Sequence, residues 1–484
     1  MQTIDSDVIV VAAGPSGLAA ALTAAQGGAQ VTVFEKASTT GGTANMAAGL
    51  FAVESRHQRI KNIGPTREEA FKIFMDYTHW RVDARLVKAY IDKSADTIDW
   101  LESLGVEFAE PATMFSGSHP TWHLVKIGAG GYTPQAAAGM MKILTEKAKE
   151  AGVKIHLQTP VRKIRKEGDR IVGVVAEDRS GESIQGNAKA VVIATGGFCD
   201  NLEMIKKYTE YEHGRDLFSQ RVPGVEGEGI RMAWEVGAER TEMNIELVYG
   251  MPAEMEPEVA SIFREPHLFV NLHGERFMNE EVMRNPAFTG NAISRQKKRC
   301  AYLIFDGNTK NHMEKKGLHF INHVFPFTKF ENLDAQIETA LAQGNKQIFV
   351  ADSLEELAEK TGIDFNGLQT TIGEYNKSCE RGHDHILGKN ARYLRPVKEP
   401  KFYAGRHYPT GYGTLGGIKI NHKTEVLTKD WEVIPGLYAV GTDACTIYGD
   451  SYVFVLPGNS LGFAVNSGRI AGDHALRYMG AFNK

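Results

Sequence analysis

"DVIVVAAGPSGLAAALTAAQGGAQVTVFEK", residues 7–36, reads as strand, tight turn, helix, strand. Residues 7–12 are a β-branched apolar run, residues 15–26 are Ala-rich with helical spacing, and "AQVTVFE" is a second strand ending in Glu35. The turn "AAGPSG" fits G-x-G-x-x-G with one departure, Ala12 in the first glycine place. Gly14 allows backbone to approach a pyrophosphate, and Gly17 allows helix and strand to pack closely. Ser16 and the N–H groups at the helix start add donors and a partial positive charge. Glu35, followed by Lys36, stands where a carboxylate holds a ribose 2′-OH. A methyl at Ala12 costs on the order of 1 kcal/mol if the turn keeps positive φ. These thirty residues predict a dinucleotide site.

Two later stretches favour FAD as the dinucleotide. "AVVIATGGF" (190–198) is a buried strand running into Thr195 and Gly196, and "GLYAVGTDA" (436–444) is another, ending in Thr442 and Asp443. A polar side chain there can hydrogen-bond the ribityl hydroxyls. "PGNSLGFAVNSGRIAGDHALRYM" opens with Asn459–Ser460 as a cap, passes Leu461 and continues as a helix. Its positive end can face the flavin N1–C2=O edge. Between them, "TTGGTANMAAGLFA" (39–52) offers Thr40, Gly42, Thr43, Ala48 and Gly49 for phosphate and ring contacts. Residues 161–178, starting at Val161, read as an antiparallel hairpin turning at "EGDR".

The 484 residues exceed one ordinary core, so two or three structural units are expected. Hydrophobic residues at 42%, charged residues at 24% and a net charge of −4, with acids and bases interspersed, point to neither a nucleic-acid nor a membrane surface. No apolar run is long enough to span a bilayer. "MQTIDSDVIVV" lacks a basic n-region, so a cytoplasmic location is expected, with a trimmed export signal left open. Cys199, Cys300, Cys379 and Cys445 stand far apart, which excludes a redox cysteine pair and predicts no metal. His119 and His123 have no third partner at metal-ligand spacing and are expected to be structural or pocket residues.

These motifs, with "GEGIRMA" (which contains Glu228), "GERFMNEEVMR", "TLGGIKIN" and "NSLGFAVNSGRIAG", resemble the fumarate reductase/succinate dehydrogenase flavoprotein family over nearly the whole chain. The soluble branch, with fumarate- and urocanate-type ene-reductases and, more distantly, ketosteroid dehydrogenases, is the most similar part. The resemblance implies an α/β protein: a Rossmann-type FAD-binding domain (GR2-like) with an inserted α+β capping domain. The expected division is 1–243 and 399–484 for the FAD-binding domain and 244–398 for the insertion. It also implies that Arg284 protonates one substrate carbon while hydride reaches its neighbour, with Arg276, Asn279 and Glu280 fixing the loop. Arginine is a poor acid, but hydride addition makes the carbon more basic still. The competing reading of Arg284 is a structural arginine closing the loop.

The departures from that family are equally informative. Fumarate reductases clamp a carboxylate with an arginine where this chain has Ser460, and their histidine before "T-[ML]-G-G" is here Gly413. A further histidine falls near Tyr249. A dicarboxylate needs bidentate cationic donors, so fumarate and succinate are rejected. Tyr249, Tyr412, Tyr448, Tyr452 and Phe454 suggest a neutral aromatic or enone substrate, with Tyr249, Tyr412 or Tyr452 fixing one oxygen. Backbone N–H near Pro457–Gly458 would assist, as in ketosteroid dehydrogenases. Ala44 replaces the histidine that carries covalent flavin, so FAD is expected to be noncovalent. No second Gly-rich βαβ unit is visible, so electrons are expected from a separate protein or free reduced flavin; the sequence is silent on oligomeric state. Alternatives are desaturation next to a ketone, and a noncatalytic flavoprotein scaffold.

Overall fold

The computed structural model describes residues 2–126, 135–321, 327, 328, 330 and 332–480. The chain divides into two compact units, Met1–Glu210 with Arg221–Glu246 and Gly413–Lys484, and Tyr211–Gln220 with Leu247–Tyr412. The second unit takes in Tyr211–Gln220 as well as the long segment Leu247–Tyr412. The strand Phe402–Gly417 pairs through residues 402–407 with Ala301–Asp306, which keeps its first part with that unit.

The first unit is built on a sheet of eight strands among the described residues. The strand Gln2–Val11 lies between Val31–Phe34 and Ser183–Ile193, parallel to both, and Val433–Ala439 continues the parallel set beyond Ser183–Ile193. The register aligns Val11 with Phe34 and Ile193, and Ile193 with Ala439. Four carboxyl ends therefore stop in one row, the position where open α/β sheets bind ligands. The first helix occupies Pro15–Gln26 and the first strand begins earlier than its apolar run suggests. Its polar residues from Gln2 onward are recruited by pairing with Ile184–Asn187. The hairpin is as expected, with Val161–Glu167 and Arg170–Glu177 closing at Glu167 and Arg170.

This sheet packs on a core rich in Val and Ala that includes Val8, Val10, Leu18, Leu22, Val33, Val192 and Val465. The helix Asn459–Gly480 lies against the first helix through small residues. Beta carbons added at Gly468 and Gly472 would fall 2.2 Å from the Ser16 carbonyl oxygen and 2.7 Å from that of Ala20.

The second unit holds an antiparallel sheet ordered Leu268–Val270, Ala301–Asp306, Phe402–Gly417, Ile348–Ala351. Helices cover it, among them Leu333–Ala342, Leu354–Thr361 and Phe365–Arg381. Its two faces build separate cores, one around Phe263, Phe269, Phe305 and Leu333, the other around Tyr302, Leu357, Leu368 and Tyr375. Among the described residues, no helix is long and apolar enough to cross a membrane.

Candidate active site

In the first unit the turn after the first strand holds Ala12 at φ 85°, the strained conformation its place in the motif requires. Gly14 precedes the first helix, and no side chain caps that helix. Its first-turn N–H groups thus have no intrahelical acceptor and are available to an anion. Gly17 sits so close to the turn that a Cβ would lie 2.0 Å from the Ala12 carbonyl oxygen. Gly42, at φ 52°, approaches Gly14, where its Cβ would meet the Gly14 Cα at 3.4 Å. Thr43 follows in the short 3-10 turn Gly42–Met46.

Glu35 is buried, and its two oxygens accept the backbone N–H of Ala13 at 2.6 Å and of Ala37 at 2.7 Å. A carboxylate oxygen with one bond keeps a lone pair for a hydroxyl. Lys36 pairs with Glu226 and Glu228 instead. Thr40 shares a hydrogen bond with Thr145 at 2.7 Å. Ala48, Gly49 and Val161 are buried, and Gly49 lies against the His123 backbone. His123 itself bonds the Ser55 hydroxyl at 2.7 Å, a structural place, and burial pushes its ring down to about 4.

The row of strand ends brings Thr195, Gly196, Thr442 and Asp443 together. Asp443 is fully buried and accepts from the Thr195 hydroxyl at 2.9 Å, the Gly197 N–H at 2.9 Å and the Thr195 N–H. Burial pushes its carboxyl up to about 6, against the pull of those bonds. Its oxygens therefore hold the Thr-Gly-Gly turn. An uncapped helix start, glycines at close approach and a buried acid with lone pairs to spare are the donor and acceptor set that an adenine dinucleotide needs. The residues fit FAD.

In the same unit, the Asn459 side chain is spent on the loop before its helix. It accepts from the Tyr90 hydroxyl at 2.9 Å and donates to the carbonyls of Val453, at 3.0 Å, and Leu456, tying down the preceding loop. The Ser460 N–H donates to the Tyr452 hydroxyl at 3.0 Å, and the Ser460 hydroxyl donates to Glu246 at 3.2 Å. Leu461 is buried beside them. Tyr448, Tyr452 and Phe454 form an aromatic cluster with ring centroids 4.9 and 4.5 Å apart. Glu246 was not legible as a site residue. Its one signal was an acid in an apolar strand, "NIELVYG".

In the second unit the loop 271–285 is closed by a buried ionic network. Arg276 forks onto Glu280 at 2.8 and 2.7 Å and onto Asp384 at 3.1 and 2.9 Å, and Lys389 approaches Glu280 at 3.6 Å. Asn279 accepts the Glu281 N–H at 2.9 Å and donates to the Leu387 carbonyl at 3.2 Å. Arg284 ends the 3-10 turn Glu280–Arg284, half-buried, with no side-chain hydrogen bond or ion pair among the described residues. Tyr249 is buried and donates to the Met283 carbonyl at 3.0 Å, while Tyr412 is 52% exposed.

The FAD binding domain family model matches residues 7–461. The chain belongs to that family. Vinyl phenol reductase of Lactiplantibacillus plantarum is 34% identical to this FAD-binding-domain protein over 98% of the chain and 96% of its own length. The cytochrome-type fumarate reductase of Shewanella frigidimarina is 28% identical over 98% of the chain and 77% of its own length. The fold also matches a 3-ketosteroid-Δ4-(5α)-dehydrogenase structure from Rhodococcus jostii RHA1, with TM-score 0.77, 24% identity and 98% of each chain covered. The protein is an FAD-dependent oxidoreductase related to the fumarate reductase flavoproteins.

Proposed function

We propose that this oxidoreductase reduces an activated C=C bond in a neutral substrate of phenolic or enone type, with Arg284 as proton donor. The observation that carries the reading is Arg284 itself. Every other polar side chain that closes its loop is spent on structure, and this guanidinium is left without a protein partner among the described residues. Reduced FAD, when bound, supplies hydride. The chain's own part is to hold the substrate oxygen, exclude water and place a proton donor at the carbon that becomes basic. The similarity to a vinyl phenol reductase supports a phenolic substrate, and the neutral Ser460 supports the rejection of dicarboxylates.

In this reading FAD is noncovalent, because Ala44 offers no nucleophile. Electrons come from a separate donor protein or free reduced flavin. Desaturation next to a ketone is the weaker reading. It needs a tyrosine base, and burial pushes Tyr452 well above the ordinary tyrosine range.

The test is anaerobic: chemically reduce the flavin of the purified protein, then add fumarate, aryl enoates, a vinyl phenol and steroid enones one at a time. Rapid reoxidation by a neutral acceptor and not by fumarate is expected. Reoxidation by fumarate alone overturns the substrate class. Silence with all of them, and with saturated ketones added to the oxidised protein, points instead to a flavoprotein scaffold.

A further inference from the structure

Glu246 is an acid with no cation paired to it among the described residues. It lies in the strand Asn244–Gly250, it is 7% exposed, and Ser460 is its one hydrogen-bond partner among the described residues. The other groups that bear on it are Tyr452, Tyr448 and Cys445, all uncharged, and burial pushes each of them above its ordinary range. Burying a carboxylate with one neutral partner is costly, so the group keeps its proton. Burial pushes it up to about 8, with the Ser460 hydroxyl pulling the other way.

Two positions beside this carboxyl lack bulk. A Cβ at Gly413 would lie 3.3 Å from Glu246 Oε2, so bare backbone flanks the acid, and Ser460 on the other side is exposed. These are the two places where the fumarate reductase pattern has a histidine and an arginine. A neutral carboxyl offers one donor and one acceptor. Tyr452, which accepts from the Ser460 N–H, has its own hydroxyl proton to give.

We propose that Glu246, as a carboxylic acid, is the specificity-determining residue of the substrate site and hydrogen-bonds the phenolic or ketonic oxygen of the substrate, with Tyr452 as second donor. The proposal rests on the reading of the protein as a reductase of neutral conjugated molecules. It adds a reason carboxylates are disfavoured: where the substrate oxygen is held, the described residues offer an acid and no cation, and Arg284 serves the carbon instead.

Binding to the FAD-loaded, oxidised protein tests it by equilibrium dialysis, with 4-ethylphenol, acetophenone and ethylbenzene as unreactive probes. In the wild type the two oxygen-bearing probes should bind more tightly than ethylbenzene. Glu246→Leu should weaken both by about 10-fold and leave ethylbenzene unchanged, and Glu246→Gln should restore most of the loss. Acetophenone can only accept a hydrogen bond, so its affinity should fall as pH rises through about 8 in the wild type and stay flat in Glu246→Gln. The phenol, able to donate to the ionised acid, should fall less. If Glu246→Leu does not fold, the pH profiles of wild type and Glu246→Gln decide alone. Equal losses for ethylbenzene and the oxygen-bearing probes, or a pH profile unchanged by Glu246→Gln, would overturn the assignment. If neutral acceptors are reduced and these probes show no dependence on Glu246, only the role of Glu246 fails. Reoxidation by fumarate alone removes the underlying reading as well.

Discussion

The hydroxyl of Tyr249 donates to the carbonyl of Met283 at 3.0 Å, one residue before Arg284. A tyrosine that the sequence offers as a substrate contact thus props the turn that ends in Arg284, the residue proposed as proton donor. Tyr249→Phe should lower kcat about fivefold, the worth of one hydrogen bond of about 1 kcal/mol, and leave KM nearly unchanged. A rise in KM with kcat intact would return Tyr249 to the substrate.

Arg284→Ala should cost at least about 10²-fold in turnover of the preferred acceptor, with the flavin spectrum retained. Arg284→Lys should recover part of the rate, since an ammonium can donate a proton but cannot reproduce the planar fork. Stopped-flow reoxidation measures both, and a near-normal Ala variant would remove Arg284 from the mechanism.

Arg276 performs a different task. Its guanidinium side chain, 4% exposed, separates the buried acids Glu280 and Asp384. Arg276→Ala leaves Asp384 without its cation and Glu280 with Lys389 alone, at about 3–5 kcal/mol. Urea denaturation should show that loss. An intact protein would mean the network is dispensable.

Gly17 tolerates no side chain, because a Cβ would meet the Ala12 carbonyl oxygen at 2.0 Å. Gly17→Ala must push helix and turn apart, an overpacking of about 1–3 kcal/mol that also moves the anion-binding N–H groups. The variant should purify with little flavin and unfold at lower temperature. Full flavin content would show that the turn yields.

The acid Glu246 also leaves a signature in stability. Its carboxyl is raised from 4.5 to about 8 on folding. Between those values the unfolded chain has released the proton and the native protein still holds it. Native stability is therefore favoured less as pH rises across this window, by about tenfold in the unfolding equilibrium per pH unit, and the effect levels off above the upper value. Glu246→Gln has no proton to lose, so its stability relative to wild type should climb over the same range. Denaturation curves of both proteins at several pH values would show a constant difference if the acid were ionised when folded.

The nucleotide-binding turn was legible because its signal is local. Gly14, Gly17 and Glu35 are spaced by one strand, one turn and one helix, and the structure keeps that order. What the sequence hides is long-range. Residues Gln2–Asp5 look like a polar leader and become strand only because Ile184–Asn187 lie alongside. The second unit runs on to Tyr412 because residues 402–407 of a 16-residue strand pair with Ala301–Asp306, although "PTGYG" within it reads as a turn. Glu246 meets Ser460 214 positions away, so no window around "NIELVYG" shows that, among the described residues, this acid has a hydroxyl and no cation beside it. The family resemblance pointed to Arg284 as the candidate; that Arg276, Asn279 and Glu280 are engaged while its guanidinium has no partner among the described residues became visible only in three dimensions.

Asp443 bonds the Thr195–Gly197 turn, and Val433–Ala439 pairs with Ser183–Ile193. In biosynthetic terms these contacts are among the last that the chain can make. A nascent chain that has already exposed the phosphate-binding turn and the second unit still lacks the strand that borders Ser183–Ile193 and the acid that fixes its loop. Residues 433–443 leave the ribosome near the end of synthesis, so a chain stalled before them would carry the Gly-rich turn without the strand and acid that border Thr195–Gly197.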